Sequence, residues 1–131
     1  MEVIIDAGAA KHRRRFKRWL PFVDRAIHTL AEILSRKDLF PKKLLLRAKR
    51  PRHIISGVGM CMEWGRYGHC RTEDAVWISM DMSAPSHKFK DTLLHEIAHI
   101  GADVAYGDPT HSERWTHLYK ELKKRTGTHR I

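Results

Sequence analysis

The segment Phe89-Lys90-Asp91-Thr92-Leu93-Leu94-His95-Glu96-Ile97-Ala98-His99-Ile100-Gly101 repeats its apolar residues at the helical period, with Phe89, Leu93, Ile97 and Ile100 on one stripe. It predicts a helix that starts after Pro85, with Gly101 as its C-terminal stop. Inside it, His95-Glu96-Ile97-Ala98-His99 is an H-E-x-x-H pattern. Residues four apart on a helix point the same way, so both imidazoles can reach one ion. At about 100° per residue the two histidines lie opposite Leu94 and Ile97, which lets the helix bury its apolar side and offer the pair to a cleft. With 10 His and 7 Glu in 131 positions, chance alone supplies about 0.04 such patterns. Glu96 projects beside the pair, suited to taking a proton and not to binding the ion.

A catalytic zinc ion takes three protein ligands and leaves the fourth place to water. His111 is the preferred third ligand, because Thr110 and Glu113 have the spacing of a capping box that would fix its backbone at the start of a last helix. Asp103, Asp108 and Glu113 are the competing carboxylates.

The run His95-Glu96-Ile97-Ala98-His99, an eleven-residue gap and then His111-Ser112-Glu113-Arg114-Trp115 resembles the SprT-like and Spartan-type metallopeptidases, with the YgjP-like group related. The preceding Val76-Trp77-Ile78-Ser79-Met80, a Ser/Pro segment and the motif helix follow that family's order of elements. The resemblance implies a zincin-like fold, one Zn2+ per chain on His95, His99 and His111, and Glu96 as catalytic base. It covers the layout from Phe22 to Gly127 and is specific from about Val76 onward. Ser112 stands where many relatives have Gly, and no Cys-x-x-Cys ribbon follows the motif.

The rest of the chain predicts an α+β domain: an N-terminal helix, a small three-stranded sheet, the motif helix and a C-terminal helix carrying the third ligand. Phe22, Ala26, Ile27, Leu30, Ile33 and Leu34 define the first helix, with Pro21 in its first turn and its end before Pro41. Leu44 to Leu46, Val58 to Met62 and Val76 to Met82 are the expected strands, with Trp64 to Gly68 as a turn. Trp115, Leu118, Tyr119 and Leu122 are the buried side of the last helix. The expected division is a basic segment, 1–20, followed by a metallopeptidase domain, 21–131.

Lys and Arg number 25 against 15 Asp and Glu, a net charge of +10 that selects polyanions, DNA first, as partners. Arg13, Arg14, Arg15, Lys17 and Arg18 form the densest basic block and are the candidate nucleic-acid contacts. No apolar run approaches membrane-spanning length, the first residues lack the pattern of a signal peptide, and two cysteines are too few for a disulfide scaffold, so a cytoplasmic setting is expected. Cys61 and Cys70 with His69 have no recognised ligand spacing and are expected to be plain thiols. The expected activity is zinc-dependent hydrolysis of polypeptide, of DNA-bound or DNA-crosslinked proteins in particular, with the third strand holding the substrate extended. The alternative is a zinc-stabilised module that binds nucleic acid or protein without catalysis.

Overall fold

The computed structural model describes residues 2–6, 10–36, 43–47, 61–64, 67–71, 75–79, 86–107 and 111–127. The chain divides into two compact units: Met1–Trp19 with Phe40–Ala84, and Leu20–Leu39 with Pro85–Ile131. Helix dominates the described residues, in three stretches of 25, 21 and 13 residues against strands of four or five.

The first unit holds β1 (Glu2–Asp6), the opening turns of α1 (Ala10–Leu34), β2 (Lys43–Arg47), β3 (Cys61–Trp64), β4 (Tyr67–Arg71) and β5 (Ala75–Ser79). The expected three-stranded sheet is not seen: five strands pair in the order β1-β2-β5-β4-β3. β1 runs parallel to β2 and β2 parallel to β5, while β4 pairs antiparallel with both β5 and β3. Leu44 and Leu46 of β2 and Ile78 of β5 are fully buried, and Leu46 stands beside Ile78 in register. Their spacing of two puts Leu44 and Leu46 on one face of the sheet. β5 has strands on both sides, so it offers no open edge, and the expected role of the third strand in holding an extended substrate does not stand. In the β3–β4 hairpin Cys61 is the register partner of Cys70.

Helix α1 begins at Ala10 and contains Pro21, so the basic block is helical and Pro21 does not start the helix. Lys and Arg are good helix formers, and a single proline removes one backbone hydrogen bond without ending a helix held by burial. Phe16 is fully buried in this first part of α1.

The second unit holds the remainder of α1, α2 (Ser86–Tyr106) and α3 (Glu113–Arg125). Its core is Phe22, Val23, Ala26, Leu30, Phe89, Leu93, Leu94, Ile97, Ile100, Leu118 and Leu122, all nearly or fully buried. Helix α2 runs straight through Gly101 and stops at Gly107, whose φ of 64° is the left-handed conformation of a helix end. Gly101 serves close packing instead: a Cβ there would lie 2.4 Å from Leu30 Cδ2 on α1. Ser112, and not Thr110, caps α3, with its Oγ accepting from the Trp115 N–H at 3.3 Å. Thr110 lies outside the described residues. Among the described residues, no helix is long and apolar enough to cross a membrane.

Candidate metal centre

Helix α2 carries His95 and His99 one turn apart, and His111 stands immediately before the Ser112 cap of α3. The cap fixes where the α3 backbone begins and so fixes the base from which His111 reaches back. Nε2 of His99 is 3.2 Å from Nε2 of His95 and 3.0 Å from Nε2 of His111, and the remaining pair is 3.3 Å apart. These three residues are close enough together to hold one metal ion.

The triangle is hard to explain with protons alone. A neutral imidazole has one N–H and one lone pair, and three rings that converge through the same nitrogen cannot each satisfy the other two. A cation held there would resolve the conflict by accepting all three lone pairs. Tetrahedral nitrogen ligands at about 2.0–2.1 Å from an ion stand roughly 3.3 Å from one another, so the spacing found here fits such a site closely. His95, His99 and His111 would be the residues that hold such an ion.

Trp115 is the common wall of the centre. Its ring stacks on His99 at 4.7 Å with 19° between planes, and meets His95 and His111 edgewise at 4.7 and 4.6 Å. Its indole N–H donates to the His95 carbonyl at 3.3 Å. The sequence signals only that Trp115 belongs to the apolar side of α3; its contact with all three rings follows from the packing of α3 on α2. Tyr119, one turn further along, stacks on Trp115 at 5.1 Å and touches His95 edgewise at 5.7 Å. Its hydroxyl donates to Asp91, which also receives the Lys123 ammonium at 3.1 Å. The Arg114 guanidinium lies 4.6 Å over the ring of Tyr106, tying the end of α2 to the start of α3.

His99 is buried, His95 half-buried and His111 exposed, so the centre opens on the His111 side. Glu96 follows His95 on α2 and is 2% exposed, buried within the helix packing. Of the competing carboxylates, Asp103 is buried one turn beyond His99 and Glu113 is exposed in the first turn of α3. Neither joins the three-histidine cluster. Asp108 lies outside the described residues.

On α1, Lys11, Arg13, Arg14, Lys17 and Arg18 are exposed and Arg15 is half-buried. At about 100° per residue the five exposed residues spread over one side of the helix, Phe16 lies on the other, and Arg15 falls at the margin. No acidic residue occurs between Asp6 and Asp24 to offset them.

No family model matches the chain, and neither the curated proteins nor the solved structures contain a match.

Proposed function

We propose that the chain is a zinc-dependent peptidase of the H-E-x-x-H type, similar to the SprT-like and Spartan-type enzymes, whose substrates are proteins bound or crosslinked to DNA. The observation that carries this reading is the convergence of three Nε2 atoms, within 3.0–3.3 Å of one another, two from α2 with Glu96 between them in sequence and the third from His111 ahead of α3. Imidazole nitrogens suit zinc, which when bound supplies Lewis acidity and lowers the pKa of water to about 7.

The residues of the chain supply the rest. Glu96 takes the proton of the attacking water and delivers it to the leaving amine, a general base turned general acid. Its burial keeps bulk water from competing for that proton. Trp115 holds the three imidazoles in a fixed arrangement and contributes no proton of its own to the reaction. The basic side of α1 supports a polyanionic partner for the protein substrate.

Metal content of the purified protein and its variants tests the reading. Wild type holds one zinc per chain, His111→Ala loses most of it while remaining folded, and Glu96→Gln keeps the metal but loses peptidase activity by several orders of magnitude. Zinc binding without activity in wild type would favour the structural-module alternative. A folded wild type that takes up no zinc would reject both.

A further inference from the structure

The three candidate ligands come from two helices. His95 and His99 ride on α2, and His111 is held by the start of α3. A slide of one helix past the other by even 1 Å would pull one nitrogen out of a triangle whose sides are 3.0–3.3 Å. Something outside the ligand set must therefore hold the register of α2 against α3.

Resting on the metal-centre reading above, we propose that Tyr119, with Asp91 and Lys123, is a positioning clasp that sets the affinity of the centre for its metal. Asp91 lies one helical turn before His95 on α2, and Tyr119 lies one turn after Trp115 on α3. The Tyr119 hydroxyl donates to Asp91 Oδ1, so the two helices are pinned one turn away from the ligands. Lys123 pairs with the same oxygen at 3.1 Å and lies 5.1 Å over the Tyr119 ring, which closes the clasp from a third side. The ring passes the constraint inward by stacking on Trp115 at 9° between planes and by its edge contact with His95. Of the two α2 ligands, His95 is the less buried and depends more on such support.

Groups that orient metal ligands from outside the coordination shell change affinity by about 10–100-fold when removed. Tyr119 acts through contacts with His95 and Trp115, and about tenfold is expected. The experiment is competition titration of Zn2+ against a chromophoric chelator, with the melting temperature of the metal-free protein measured in parallel. Tyr119→Phe binds Zn2+ about tenfold more weakly with a small change in metal-free melting temperature. Asp91→Ala reproduces the loss, and the double variant is no weaker than the worse single one. Leu122→Ala, fully buried on the same helix, lowers the metal-free melting temperature more than Tyr119→Phe does and leaves affinity within about twofold. Unchanged affinity in Tyr119→Phe, or losses that follow melting temperature across the variants, would overturn the clasp while leaving the three-histidine site standing. Loss of zinc in His111→Ala separates the two ideas, since failure there removes the site itself.

Discussion

Tyr119 has its hydroxyl pKa raised well above the ordinary tyrosine value of about 10, first by burial and then by the hydrogen bond and charge of Asp91. A group that holds its proton more tightly when folded contributes stability below the unfolded pKa and loses that contribution as pH rises toward the folded one. Urea unfolding of wild type and Tyr119→Phe should show a stability difference at pH 9 that narrows by pH 11; a constant difference would contradict the linkage. At this scale the three-histidine cluster is legible in the sequence. His95 and His99 are a local pair whose relation depends on helix geometry alone, and His111 is signalled by its neighbours. Thr110 carries the spacing of a cap, but the capping oxygen belongs to Ser112, one turn before Trp115 as a cap requires. Trp115 and Tyr119 read as core, since no local pattern encodes which ring a side chain will meet across a helix pair.

Elements are less legible than residues wherever a single residue type has two uses. Gly101 has the composition of a helix stop, yet its missing Cβ makes room for Leu30 and the helix continues to Tyr106. Gly101→Ala gains up to ~1 kcal/mol of helix propensity but must displace a fully buried leucine, an overpacking cost of about 1–3 kcal/mol. A net destabilisation of about 1–2 kcal/mol is expected in denaturant unfolding, and a stabilised variant would contradict the close approach. Pro21 likewise marks the interior of α1 and not its start. Among strands, β2 and β5 carry runs of Leu, Val and Ile, whereas β4 is Tyr-Gly-His-Cys-Arg, which has weak strand preference and is defined by its partners on either side. β1 is only five residues long, and its parallel pairing with β2 spans all of α1, a distance no window of local sequence reports.

For the molecule as a whole, the excess of 25 cationic over 15 anionic side chains is plain from composition, while its placement needs the helix. Arg13 and Arg14 are exposed on α1 and Arg15 is turned partly inward, so the three do not count equally. Neutralising all three should weaken duplex DNA binding and make the slope of log affinity against log salt shallower by about 2, near 0.9 for each phosphate that is no longer neutralised. Unchanged binding and slope would reject this face as the DNA-binding surface. The sheet order and the pairing of α2 with α3 join segments far apart in the chain, and for that reason they emerge only with the fold. Trp115, in contact with all three imidazoles at 4.6–4.7 Å, is placed to sense any ion held between them. A colourless ion and a paramagnetic one held in the same triangle would act differently on this indole's share of the emission, so that exchange of one for the other would be visible without label or substrate.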